Sequence, residues 1–186
     1  MCGRYYVDDE EPTLQDIVEK LKGNAEVKTG EVFPTDRAAV MAPEGDFAVM
    51  RWGFPRFDGK GVIINARSET ASVKPMFQRS LIEGRCLIPA SWYFEWEKRG
   101  REKVKYAFAA PEEELLWMAG LSRRDGKTGE RSFVILTRPA WEGIAFIHNR
   151  MPVILPAHLH DEWLCGRDPV KTMERATSQV RYRTAD

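Results

Sequence analysis

The chain has little cysteine, little histidine and no surplus of either charge. Its three cysteines, Cys2, Cys86 and Cys165, form an odd set with no CxxC pair. That excludes a disulfide-framed scaffold and fits a reduced, cytoplasmic protein. Of the three histidines, His158 and His160 lie near Cys165, but their spacing matches no zinc pattern, so no metal is expected. No apolar run approaches the ~20 residues of a membrane span, and no membrane association is expected. The start lacks a basic segment followed by an apolar one, so no signal peptide is expected and the mature chain begins at Met1 or Cys2. The 28 basic and 28 acidic side chains cancel. A uniformly basic coat is thereby excluded, while a local basic groove stays open, because binding depends on the field of one face. Repeats, low-complexity tracts and linkers are also missing, and 186 residues suit a single domain over 1–186.

What is present is mostly β-prone. Runs at Ala38–Met41, Phe47–Trp52, Val62–Ile64, Cys86–Ile88, Trp92–Trp96, Val104–Ala109, Leu115–Leu121 and Ser132–Thr137 read as strands. Turn chemistry separates them at Pro43-Glu44-Gly45, Asp58-Gly59, Arg99-Gly100 and Asp125-Gly126. This spacing predicts a curved sheet or barrel rather than βαβ units. Helices are predicted at 12–22 (Leu14, Ile17, Val18 and Leu21 on one face, Gly23 as the stop), at Pro75–Glu83 and at Ala157–Cys165. The fold class is therefore α+β, strand-rich, with a barrel-like β core and a few peripheral helices. The stretch Ser178–Asp186 reads as a strand or a loose tail. Acidic runs at 8–11 and at Glu112, Glu113 and Glu114 read as solvated faces.

The chain opens Met1-Cys2-Gly3-Arg4. Cysteine is small enough for Met1 to be trimmed, and Cys2 would then carry an α-amine and a thiol on adjacent carbons. With ordinary pKa values of about 7.7–8 and about 8.5, both are reactive near neutrality. Such a 1,2-aminothiol captures aldehydes: the amine forms a Schiff base, the thiol adds, and a thiazolidine closes. Position alone favours the plainer reading, a small residue at a frayed chain end.

Three further polar islands sit in apolar, strand-like surroundings: Asn65–Thr70, Trp92–Trp96 and His148–Pro152. Alternation puts Tyr93 and Glu95 on one face and Trp92, Phe94 and Trp96 on the other. A carboxylate so placed is costly to bury, and burial raises its pKa toward general acid/base range. His148 can give and take a proton near neutral pH. Asn65 can hold a backbone or terminal amine. Arg4, Arg67, Arg85 and Arg150 are candidate phosphate grips, and Trp52 and Phe57 candidate stacking faces for nucleic acid. For Trp52 core packing is the competing reading, and each polar residue has a structural one, from surface ion pair to core histidine.

In this order the islands resemble the SRAP (SOS response-associated peptidase) family. The matching stretches are Met1–Tyr5, Trp52-Gly53, Ile64–Thr70, Gly84–Ala90, Trp92–Trp96, Met118–Leu121, Thr137 and Ile147–Leu155. The resemblance implies a DNA-damage protein whose Cys2, freed by loss of Met1, forms a thiazolidine with the ring-opened aldehyde of an abasic site in single-stranded DNA. It implies that Asn65 positions the N-terminal residue, that Glu95 is the acid/base and that His148 assists sugar ring opening. Arg4, Arg67, Arg85 and Arg150 would line the DNA groove, with Trp52 and Phe57 near the bases. No cofactor is implied, and a one-to-one adduct needs only a monomer. Where some relatives carry paired tryptophans, this chain has Phe57-Asp58, so base wedging is expected to be weaker. Two other readings stand beside this one: a cysteine peptidase with Cys2 as thiolate and His148 as base, and a non-catalytic single-strand-binding module.

Overall fold

A computed structural model describes residues 2–21, 26–111 and 115–185. Met1, the Gly23 helix stop and the acidic run 112–114 lie outside the described residues. The chain enters through strand β1 (Tyr5–Val7) and helix α1 (Pro12–Leu21), then strands β2 (Gly30–Val32), β3 (Arg37–Met41) and β4 (Phe47–Trp52). A ribbon of β5 (Phe54–Pro55) and β6 (Val62–Ile63) precedes β7 (Asn65–Arg67) and helices α2 (Ser68–Ala71) and α3 (Pro75–Glu83). Five long strands follow: β8 (Arg85–Ala90), β9 (Trp92–Arg99), β10 (Glu102–Ala109), β11 (Leu116–Arg124) and β12 (Arg131–Pro139). The chain then passes through β13 (Arg150–Pro152), α4 (His160–Cys165), α5 (Pro169–Glu174) and β14 (Arg181–Thr184).

Helix α1 forms where apolar residues recur at helical spacing. Leu14, Ile17, Val18 and Leu21 are its buried face, and the Glu11 side chain accepts from the Leu14 N–H at its start (2.8 Å). Helix α3 begins at Pro75 and stops at Gly84, as its sequence dictates. The stretch Ala157–Cys165 opens as a 3₁₀ turn, so only its second part is α-helical. The C-terminal stretch resolves in favour of a strand, β14, paired with β10.

The barrel follows from the pairing. Strands β11, β8, β3, β4 and β12 form a continuous ladder, and β12 pairs back onto β11 to close it. Strand β12 is the hub. Ser132 and Phe133 lie beside Arg51 and Trp52 of β4, and Ile135, Leu136 and Thr137 beside Asn65, Ala66 and Arg67 of β7. The chain leaves the barrel wall between these pairings at Gly53, whose φ of +117° suits glycine and whose N–H donates to Phe133 O (2.7 Å). It returns at Ile64, whose carbonyl accepts from Ile135 N–H (3.0 Å). Asn65 is therefore not just beyond a strand, as the apolar pattern suggests, but within one.

A second, antiparallel sheet, β14-β10-β9-β1-β2, stacks against the barrel. Tyr5, Val7, Tyr93 and Phe108 from this sheet share one core with Trp52, Phe133 and Ile135 of the barrel, and Cys2 lies in the same cluster. A separate core under α3 and α4 contains Phe54, Phe77, Leu81, Leu121 and Trp163. The architecture is the strand-rich, barrel-cored α+β fold that the turn spacing predicts. Among the described residues no helix is long and apolar enough to cross a membrane.

Candidate active site around Cys2

Cys2 is not a frayed end. It is fully buried, three residues before the start of β1, and the Asn65 Nδ2 donates to its carbonyl oxygen (2.9 Å). This bond spans 63 residues in sequence. It exists because β7 is carried onto β12 by the Gly53 exit, while β1 is held to β9 through the Tyr5–Tyr93 and Tyr6–Trp92 pairs. The Phe94 N–H also donates to Arg4 O (3.0 Å), which locks the first residues against the β9 backbone.

Glu95 lies on β9 two residues from Tyr93 and is 5 % exposed, on the face that points into the core. Burial raises its carboxyl pKa above the usual range. Burial also pushes the Cys2 thiol well up, and the nearby Glu95 charge adds to the effect. The two groups are therefore electrostatic neighbours, the Glu95 carboxylate disfavouring the Cys2 thiolate. His148 precedes β13, and its Nδ1 accepts from the Arg150 N–H (3.0 Å), which places the proton of the neutral ring on Nε2. Burial lowers its pKa. A carboxyl moved up and an imidazole moved down can exchange protons with a substrate near neutrality.

Arg150 holds this region together. Its guanidinium makes a two-pronged contact with Glu69, with Nη2 to Oε2 at 2.8 Å, and donates to Thr137 O at 2.6 Å. The side-chain hydrogen bond from Arg150 is the main cause of a Glu69 pKa lowered to about 2. Glu69 stands in the Asn65–Thr70 island without a role assigned from sequence. Its signal was available only as an acid whose arginine partner lies 81 residues away.

Two of the sequence-level assignments need correction. Arg85 does not face a groove. It is 6 % exposed, and its guanidinium donates to the carbonyls of Leu81 (2.8 Å), Leu164 (3.3 Å), Gly166 (2.7 Å) and Trp163. It ties the C-terminal ends of α3 and α4 together, as a cation at orphan helix carbonyls does. Trp52 is fully buried, packs on Tyr5 and Phe133, and donates from Nε1 to Ile64 O (3.0 Å). It is core, not a stacking platform.

Of the remaining arginines, Arg4 pairs with Glu31 (3.2 Å) and lies over the rings of Phe33 and Trp96. Arg67 is exposed at the end of β7. Phe57 is 90 % exposed between β5 and β6. It rims a cleft of about 670 Å³ whose lining includes Arg79, Arg123, Arg124 and Arg131 but none of Cys2, Asn65, Glu95 and His148. The fold thus joins Cys2 to Asn65 and Glu95 and sets Phe57 on different walls. Among the described residues no group of three or more His, Cys, Asp or Glu side chains could hold a metal ion.

The sequence and fold have counterparts. The family model described as SOS response associated peptidase (SRAP) matches residues 1–184. The chain belongs to the SRAP family. Its SRAP relatives include the abasic site processing protein YoqW of Bacillus subtilis, 31 % identical over 88 % of this chain and 80 % of YoqW. YoaM of the same organism, also named an abasic site processing protein, is 32 % identical over 88 % of this chain and 79 % of its own. A 32 % identical match to YedK of Escherichia coli spans 61 % of this chain and 52 % of YedK. A crystal structure of a Bacteroides thetaiotaomicron protein shares the fold with a TM-score of 0.80 at 22 % identity, covering 100 % of this chain and 92 % of the other. A phage-related protein from Bordetella bronchiseptica reaches 0.74 at 28 % identity, covering 99 % and 94 %.

Proposed function

We propose that this SRAP domain processes abasic sites in DNA by capturing the lesion's aldehyde on Cys2. The observation that supports it is the grip of Asn65 on the Cys2 carbonyl beside the buried Glu95. An ordinary chain end needs neither a dedicated hydrogen bond nor a buried carboxyl neighbour. The relatives named as abasic site processing proteins point the same way.

In this reading Met1 is removed first, because only then does Cys2 carry the amine. The Nε2–H of His148 donates a hydrogen bond to the ring oxygen of the closed sugar; the C1–O4′ bond breaks, solvent carries the C1 hydroxyl proton to O4′, and the open aldehyde results. The Cys2 amine attacks the aldehyde carbon, and protonated Glu95 donates to the departing hydroxyl, which leaves as water and yields an imine. The thiol then adds across the C=N bond. A C–S bond forms, the thiol proton ends on nitrogen, and the thiazolidine is closed. Glu95 is returned to its acid form by the proton shed from the attacking amine. Asn65 acts through position, holding the residue that carries both nucleophiles. One chain suffices, and unpaired DNA is the form in which the sugar is accessible to a buried residue.

The test is incubation with an abasic single-stranded oligonucleotide, read by denaturing gel and intact mass. A heat-stable adduct is expected from the wild-type chain with Met1 absent, and none from Cys2→Ala or from a chain with one residue inserted before Cys2. Full adduct from the inserted chain, with its N-terminus verified intact, would overturn the mechanism.

A further inference from the structure

Tyr5 and Tyr93 face each other directly across the β1–β9 pairing. Both are fully buried in the core that also holds Cys2. Tyr5 packs on Trp52 with ring centroids 5.2 Å apart, and Tyr93 stacks on Phe108 at 4.7 Å. Neither hydroxyl makes a hydrogen bond among the described residues, although both are shut away from solvent. A buried hydroxyl without a partner costs free energy that a phenylalanine at the same place would not. Two such hydroxyls, on residues paired across β1 and β9 and in one core with a buried thiol whose own partner is the Arg4 carbonyl (3.9 Å), call for an explanation.

Both phenols respond to Cys2. A charge on its sulfur raises the pKa of each, after burial as the larger cause. Tyr5 also senses Asp36, and Tyr93 senses Glu95. The groups acting on the sulfur are thus the terminal ammonium and the Arg4 backbone, which favour the thiolate, Glu95 and Tyr93 from β9, and Tyr5 from β1, with Asp36 acting on Tyr5. Glu95 opposes the thiolate, as does burial. The tyrosines remain neutral O–H donors over any working pH, and a thiolate is an acceptor.

We propose that the Tyr5 and Tyr93 hydroxyls are held unpaired in the resting protein so that they can donate to the Cys2 sulfur when it ionises. They form a thiolate-stabilising pair that lowers the cost of activating a deeply buried nucleophile. The arrangement parallels an oxyanion hole, in which donors are oriented before the charge appears. The inference rests on the reading of Cys2 as nucleophile, but it concerns the thiol alone and can be tested without DNA.

The test is the pH dependence of Cys2 alkylation by iodoacetamide on the folded chain, with Met1 loss verified by mass. Peptide mass mapping follows Cys2, with exposed Cys165 as the internal reference. The double variant Tyr5→Phe/Tyr93→Phe is expected to move the Cys2 midpoint up by about one pH unit and slow its alkylation near neutrality about tenfold, leaving Cys165 unchanged. Uniform 3-fluorotyrosine, which strengthens each phenol as a donor and barely alters packing, should move the midpoint down. A merely structural role would change the melting temperature and leave both midpoints alone. Unchanged Cys2 profiles in the double variant or, should that variant not fold, in the fluorotyrosine protein would overturn the proposal. So would wild-type Cys2 that resists alkylation throughout. Normal profiles shifted as expected but no adduct with abasic DNA would leave the thiolate pair standing and sink the capture mechanism instead.

Discussion

At the scale of single residues, the site is built from bonds that reach far along the chain. Asn65 holds Cys2 by one hydrogen bond. Asn65→Ala is expected to slow adduct formation about tenfold or more, with an unfolding cost of only about 1 kcal/mol, measured by single-turnover gels and urea melts. Arg85 should behave in the opposite way. Arg85→Met keeps the apolar stem but leaves five carbonyls without this donor, those of Leu81, Ile82, Trp163, Leu164 and Gly166. A loss of about 3 kcal/mol in stability is expected, with the adduct yield per folded molecule unchanged. Glu69 provides a pH signature. Arg150 lowers its folded pKa from 4.5 to about 2, so its contribution is complete above pH 4.5 and is lost as pH falls from there toward 2. The urea midpoint of wild type should therefore drop more steeply than that of Glu69→Gln across this window, and the two curves should run parallel at neutral pH. The catalytic candidates were legible because cysteine, asparagine, glutamate and histidine carry chemistry wherever they stand. Arg85 and Trp52 were misplaced for the same reason: an arginine or tryptophan suits a groove and a core equally until its neighbours are known.

At the scale of elements, β12 and the Gly53 exit decide where Asn65 goes. The wall of the barrel passes from β4 to β7 along one edge of β12, and the intervening ribbon must leave the wall and return. Gly53 has φ +117°, and a Cβ there would stand 2.7 Å from Val62 side-chain atoms. Gly53→Ala is expected to cost about 2–3 kcal/mol and to reduce adduct formation through displaced β7, as read from thermal melts together with the gel assay. The strands of the barrel were legible from turn chemistry and alternation, since both are local. Helix α1 was legible from the spacing of Leu14, Ile17, Val18 and Leu21, which is also local. Short β7, by contrast, owes its strand state to pairing with Ile135–Thr137, which no window of sequence around Asn65 contains.

At the scale of the whole molecule, formal charge sums to zero, so attraction to a nucleic-acid strand has to come from one face. Exposed Arg67 at the end of β7 lies two residues beyond Asn65. The rate of adduct formation is expected to fall with salt, on a log–log plot, by about 0.7 per phosphate neutralised. Arg67→Ala should lessen that slope by about one such step, as measured over a salt series with the abasic oligonucleotide. The cleft rimmed by Phe57 lies on walls that share no lining residue with the Cys2 site among those described. The sequence by itself determined the α+β class, the run of strands, the amphipathic α1 and the choice of Cys2 as candidate nucleophile, because periodicity, turn residues and functional groups are properties of neighbours along the chain. Only the tertiary structure decided that Cys2 is buried rather than frayed, that Arg85 and Trp52 are buried, and that Tyr5 pairs with Tyr93 in the core that holds Cys2. Each of those depends on closing the barrel and stacking a second sheet against it, and closure brings together residues whose separation in sequence carries no trace of their contact.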